Sequence, residues 1–130
     1  MMWKDIKDIT VLVAEDDAFN RKLINAMLSK NKKIKILEAV DGVEALSQLD
    51  KHKIDALLLD IHMPNMNGLD TLKNIRQHAE HKDLPVIVIT SDEVEKKKSF
   101  SLGANGFLPK PFKLNDLEKK VYSVLGDEKK

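Results

Sequence analysis

Asp55-Ala56-Leu57-Leu58-Leu59-Asp60-Ile61-His62-Met63-Pro64-Asn65-Met66-Asn67-Gly68 is the stretch that decides the architecture of this chain. Ala56 to Leu59 form an unbroken apolar run, the pattern of a strand covered on both faces, and the run stops at a carboxylate. Asp60 is therefore placed at the mouth of a sheet. The residues after it supply turn chemistry: Pro64 restricts Met63 to extended geometry, while Asn65, Asn67 and Gly68 tolerate positive φ. A strand that ends in an acid and then turns sharply presents a reactive group outside the carboxyl edge of an α/β sheet.

Working outward, the same grammar repeats. Ile9 to Ala14 is a β-branched run that ends at Glu15-Asp16-Asp17. From Ala18 to Ser29, Phe19, Leu23, Ile24, Met27 and Leu28 recur at helical spacing, with Asp17 as N-cap. Ile34 to Val40 is a second strand, and Asp41 three residues before Glu44 opens a helix through Leu49 with capping chemistry. Beyond Asp60, a helix from Gly68 to about His78 carries the stripe Leu69, Leu72, Ile75. Val86 to Ile89 form a strand closed by Thr90-Ser91. Asp92 to Leu102 is expected as a helix with a thin stripe, Val94 and Phe100, and Gly103 suits a left-handed C-terminus. Gly106 to Leu108 is a short fifth strand followed by Pro109-Lys110-Pro111, and the last helix, about Asn115 to Leu125, buries Leu117, Val121, Val124 and Leu125. Residues 1 to 8 read as a polar lead and Asp127 to Lys130 as a frayed end.

Alternation of this kind, with crossovers of this length, implies a doubly wound α/β fold: an all-parallel five-stranded sheet with helices on both faces. At 130 residues the chain is one domain, 1–130, with its core at about 9–125. Periodicity alone does not give the strand order.

Composition excludes several function classes. Lys plus Arg number 22 and Asp plus Glu 21, so the net charge of +1 gives no whole-molecule field for nucleic acid or an anionic membrane. Without cysteine there is no disulfide, thiolate metal site or cysteine nucleophile. The charged N-terminus lacks a signal peptide's apolar region, and no apolar run approaches the ~18 residues of a membrane span. The chain reads as soluble and cytoplasmic.

The chemistry lies at the carboxyl ends of the strands: Glu15 and Asp16 after the first, Asp60 after the third, Thr90 after the fourth and Lys110 after the fifth. In a doubly wound sheet these ends form one crevice. Carboxylates ~4 Å apart repel by about 4 kcal/mol per pair at an effective dielectric of about 20. A hard divalent cation, Mg²⁺ or Mn²⁺, fits such an oxygen set, and a lysine ammonium and a threonine hydroxyl complete a pocket for a phosphoryl group. An aspartate in that setting can itself be the nucleophile.

Glu15-Asp16, Asp60-Ile61-His62-Met63-Pro64, Thr90-Ser91 and Lys110-Pro111-Phe112, in this order and spacing, resemble the receiver domain of two-component response regulators, the CheY-like family. The resemblance runs from Ile9 to Leu125. It implies the flavodoxin-like strand order 2-1-3-4-5. It implies that Asp60 accepts a phosphoryl group from a phosphohistidine on a histidine kinase or histidine phosphotransfer protein. Glu15, Asp16 and Asp60 would bind Mg²⁺ together with the backbone carbonyl of His62; Thr90 and Lys110 would contact phosphoryl oxygens. Lys110-Pro111 corresponds to the family's cis peptide, Thr90 and Phe107 to its switch pair, and His62 and Asp92 to positions that tune phosphoryl lifetime. Glu15 stands where Asp is the commoner acid, and Phe107 lacks the hydroxyl of a tyrosine.

Each residue also has a plainer reading. Asp60 alone would be a turn cap, Thr90 or Ser91 a helix cap, Lys110 a surface lysine and Lys96-Lys97-Lys98 a solvated face. His52, His62, His78 and His81 show no i, i+4 pairing and read as surface residues apart from the His62 backbone. A Mg²⁺-dependent aspartyl phosphatase is the rival enzyme, but resembles an Asp-x-Asp pattern after the first strand, where this chain has Glu15-Asp16-Asp17. A flavin binder would need a Ser/Thr/Gly-rich loop there. The expectation is a monomeric phosphorylation-operated switch, not a substrate-turnover enzyme. Its output goes to another protein through Lys96, Phe107 and the last helix; a place as intermediate in a multistep phosphorelay is the alternative.

Overall fold

The structure, a computed structural model, describes residues 8–126; of the polar lead only Asp8 falls within it, and the expected fraying of Asp127 to Lys130 lies outside the described residues. Strands β1 (Ile9–Ala14), β2 (Ile34–Ala39), β3 (Ala56–Asp60), β4 (Val86–Thr90) and β5 (Gly106–Pro109) alternate with helices α1 (Ala18–Leu28), α2 (Gly42–Lys51), α3 (Gly68–Gln77), α4 (Glu93–Ser101) and α5 (Leu114–Gly126). All pairings are parallel and the order is β2-β1-β3-β4-β5, the flavodoxin-like order.

Because side chains alternate across a strand, each apolar run feeds two cores. Val11, Val13, Leu58, Ile87 and Ile89 face a core closed by α1 and α5 through Ile24, Leu28, Leu117 and Val121. Leu12, Ala14, Leu57, Leu59, Val86 and Val88 face a second core closed by Ala45 and Leu49 of α2 and Leu72 and Ile75 of α3. Every residue of β3 and β4 is buried, as the unbroken runs require.

Two expected helix stripes are corrected. Phe19 and Leu23 of α1 are 73% and 45% exposed, while Ile24 and Leu28 carry the burial. In α4, Val94 and Phe100 are also exposed and Ser99 alone is buried. Its hydroxyl donates to the Lys96 carbonyl, and its small side chain lets the helix sit close to the sheet without an apolar stripe. α4 ends as expected: Gly103 has φ +102, with Gly103 N–H donating to Phe100 and Ala104 N–H to Ser99, a Schellman pattern.

The order reverses direction at β1 and β3, and Ala14 is in register with Leu59. Glu15 and Asp60, the next residue on each strand, therefore lie side by side at the topological switch point. Gly68 begins α3 so tightly against this edge that a Cβ on it would come within 2.3 Å of the Asp60 carbonyl oxygen. Only glycine permits that approach.

Candidate functional site

Parallel strands deliver the residues named from the sequence to one row. Thr90 pairs with Pro109, and Lys110 N–H donates to the Thr90 carbonyl, so the ends of β1, β3, β4 and β5 stand in sequence as Glu15, Asp60, Thr90 and Lys110. Glu15, Asp60 and Thr90 are buried; Asp16 is exposed. Carboxylate oxygens of Glu15, Asp16 and Asp60 all lie within 4.8 Å of one another. The Lys110 ammonium reaches in to both buried acids, 3.2 Å from Glu15 Oε1 and 3.3 Å from Asp60 Oδ1. The Lys110–Pro111 peptide is cis.

One ammonium does not balance three carboxylates. Burial, then the neighbouring Asp60 charge, pushes the Glu15 carboxyl up to about 7 against the lowering effect of Lys110. Burial works against the charge on Lys110, but Asp60 and Glu15 outweigh it and hold its pKa above the ordinary value. An excess of buried negative charge, presented by hard oxygen donors on one edge, fits a divalent cation such as Mg²⁺.

The acidic loop is held by Asp17, the N-cap expected from the sequence, and by Arg21, which the sequence reading did not assign to it. Asp17 caps α1 by accepting from Phe19 N–H at 2.8 Å. Arg21, one turn into α1, donates 2.7 Å to the Glu15 carbonyl and pairs with Glu38 on β2 at 2.7 Å. Its guanidinium fork thus ties the loop after β1 to the neighbouring strand. On the other flank, Asp41 accepts from Glu44 N–H and from the Asn65 side chain, and these bonds lower its pKa. Asn65 itself sits at φ +65, the left-handed geometry expected of the turn.

Neither Thr90 nor Ser91 caps α4; Asp92 does, accepting from Val94 N–H at 2.8 Å. The Thr90 hydroxyl instead donates to Glu95 Oε1 at 3.1 Å and accepts from Asp92 N–H at 3.2 Å. His62 Nε2 meets the same Glu95 oxygen at 2.8 Å while its side chain stays 71% exposed, as expected of a surface residue. Phe107 is buried, with the Lys96 ammonium 5.1 Å from its ring centroid. The sequence reading did not single out Glu95; the spacing of Asp92 and Glu95, that of a capping box, was the available signal.

Of the remaining histidines, His52 and His78 are exposed, as expected, and His81 is half-buried. His78 and His81 stack with centroids 4.3 Å apart, and His81 pairs with Asp50 at 3.2 Å. The His78 Nδ1 already accepts from Glu80 N–H. This cluster lies where α2 and α3 end, at the opposite edge of the sheet from Asp60.

Beside the acidic pocket lies a cleft of about 390 Å³ lined by Leu23, Ile24, Pro111 and Phe112 together with Glu15 and Lys110. No helix among the described residues is long and apolar enough to cross a membrane.

The profile of the response regulator receiver domain matches residues 11–122. Chemotaxis protein CheY1 of Helicobacter pylori is 36% identical over 119 residues, spanning 89% of this chain and 96% of that protein. A putative response regulator from Chloroflexus aurantiacus superposes with a TM-score of 0.88 at 33% identity, over 92% of this chain and 99% of that one. The receiver domain of a sensor histidine kinase from Pseudomonas aeruginosa, solved with a magnesium ion in its active-site cleft, superposes with a TM-score of 0.84 at 26% identity, over 91% and 98%. The chain belongs to the response regulator receiver domains, the CheY-like signalling switches of two-component systems.

Proposed function

We propose that residues 1–130 act as one receiver unit that takes a phosphoryl group onto Asp60 from a phosphohistidine-bearing protein and signals through a changed surface. The observation that carries this reading is the buried Asp60 carboxylate at the sheet edge, flanked by Glu15 and reached by Lys110. In the forward step an Asp60 carboxylate oxygen attacks phosphorus, the donor's N–P bond breaks, and the released imidazole takes up a proton. Hydrolysis reverses the state: water attacks the phosphorus, the Asp60 O–P bond breaks, and the carboxylate returns with inorganic phosphate leaving.

Glu15, Asp16 and Asp60, with the His62 carbonyl, would hold Mg²⁺ or Mn²⁺. When bound, the ion supplies neutralisation of the phosphoryl oxygens. Lys110 is held by two carboxylates, so its ammonium is positioned to pair with a phosphoryl oxygen. Thr90 supplies a hydroxyl for another, and Lys96, set over the buried Phe107 ring, and α5 form the surface through which a partner protein would read the change. His62 and Asp92 flank the approach to the phosphoryl group and would set its lifetime. The donor would enter over the apolar cleft, where the exposed Leu23 lies beside Pro111 and Phe112.

Incubation with a small phosphodonor, an acyl phosphate or phosphoramidate, tests this. Intact-mass analysis is expected to show one added phosphoryl group in Mg²⁺, none in excess chelator, and its loss on treatment with hydroxylamine. Uptake that is equal in chelator, or no uptake at all, would contradict the proposal.

A further inference from the structure

Glu95 makes two hydrogen bonds that a solvent-facing acid on a helix does not need. We infer that Glu95 is a positioning residue that latches Thr90 in the unphosphorylated arrangement and exchanges partners when Thr90 is drawn to a phosphoryl group. This rests on the reading of Asp60 as acceptor and adds the element that opposes switching.

A threonine hydroxyl has one proton to donate. Here Thr90 gives it to Glu95 Oε1 at 3.1 Å, in a relay that runs from Asp92 N–H to Thr90 Oγ1 to Glu95. His62, on the loop after β3, holds the same carboxylate oxygen from the other side at 2.8 Å, and the Glu95 side chain is only 16% exposed. Thr90 cannot donate to a phosphoryl oxygen while it donates to Glu95. A phosphoryl group on Asp60 also brings negative charge toward a carboxylate, so the two ligands of the Thr90 hydroxyl repel as well as compete.

The sequence supplies Glu95 with a second partner. Asp92-Glu93-Val94-Glu95 has capping-box spacing, in which the acid at the third helical position bonds the N–H of the capping residue. In this structure Asp92 caps Val94 N–H, but Asp92 N–H itself donates to Thr90 instead of Glu95. When Thr90 departs, Asp92 N–H is freed and Glu95 is freed, and they are placed to bond each other. The first turn of α4 therefore keeps its hydrogen bonds in both arrangements, which keeps the two close in free energy. Lys96, next along that turn and set over the Phe107 ring, carries the exchange toward β5.

Three proteins, each unphosphorylated, decide the matter by amide NMR: the unaltered chain, Glu95→Ala and Glu95→Gln. Glu95→Ala is expected to move the Thr90 and Asp92 amide resonances, whereas Glu95→Gln, which keeps an acceptor oxygen, leaves them near their original positions. With a small phosphodonor, Glu95→Ala is expected to phosphorylate about three- to tenfold faster, because the carboxylate that repels the incoming phosphoryl group is gone. Unmoved resonances in Glu95→Ala, or movement equal in Glu95→Gln, overturn the latch. Slower phosphorylation of Glu95→Ala overturns it too. Failure of the unaltered chain to phosphorylate is a failure of the acceptor assignment, and the unphosphorylated resonances then still decide the latch on their own.

Discussion

Replacing Asp60 by Asn is expected to abolish phosphoryl uptake and, in chelator, to raise the stability of the fold by about 1 kcal/mol. The amide is not a nucleophile for phosphorus, so the first effect is complete. The second follows from the charge count at the sheet edge: Glu15, Asp16 and Asp60 share one ammonium, and Glu15 lies beside Asp60 in a buried setting. An uncharged side chain of the same shape removes that repulsion while Lys110 keeps Glu15 as partner. In saturating Mg²⁺ the order is expected to reverse, because the unaltered protein gains binding free energy that Asp60→Asn has largely lost. Urea midpoints in chelator and in Mg²⁺ check both signs; a destabilised Asp60→Asn protein in chelator would mean that the carboxylate is not under electrostatic strain.

Mg²⁺ affinity is expected to fall about tenfold for each pH unit below about 7. The cause is Glu15, whose carboxyl is pushed up to about 7 by burial and by the adjacent Asp60. Below that pH the ion must displace a proton from Glu15; above it the carboxylate is free. For the metal-free fold the sign runs the other way from the usual acid. The folded protein binds this proton more tightly than the unfolded chain, whose value is near 4.5. The contribution is therefore fully present below pH 4.5 and lost as pH rises through about 7, a difference of roughly 3 kcal/mol. Calorimetric Mg²⁺ titrations at about pH 6 and about pH 8 are expected to differ by about tenfold, and Glu15→Gln is expected to bind weakly with no such dependence. Equal affinities for the unaltered protein at the two pH values would contradict this.

The site was legible because its geometry is carried by strands. An apolar run that ends in a carboxylate, a hydroxyl or a lysine puts that group at the sheet edge, and parallel pairing brings successive edges into one row whatever the loops between them do. Helix faces were less legible. Phe19, Leu23 and Met27 lie four apart and make as good a stripe as Ile24 and Leu28, so periodicity alone could not say which one meets the sheet; the structure gives the core to Ile24 and Leu28. In α4 the contact rests on Ser99, a residue that hydropathy does not mark. The Arg21–Glu38 and His62–Glu95 pairs were hidden for another reason: each joins elements brought together by which strands are neighbours, and the strand order came from family likeness and not from spacing.

The acceptor assignment carries the chemistry proposed for this chain, and it can be read at the level of one residue. Borohydride reduction of the donor-treated protein converts an acyl phosphate to an alcohol, and peptide mass spectrometry then locates it. Reduction at residue 60 alone, dependent on donor and on Mg²⁺, is the predicted result. A reduced residue at Glu15, Asp16 or any other position, with Asp60 intact, would contradict it.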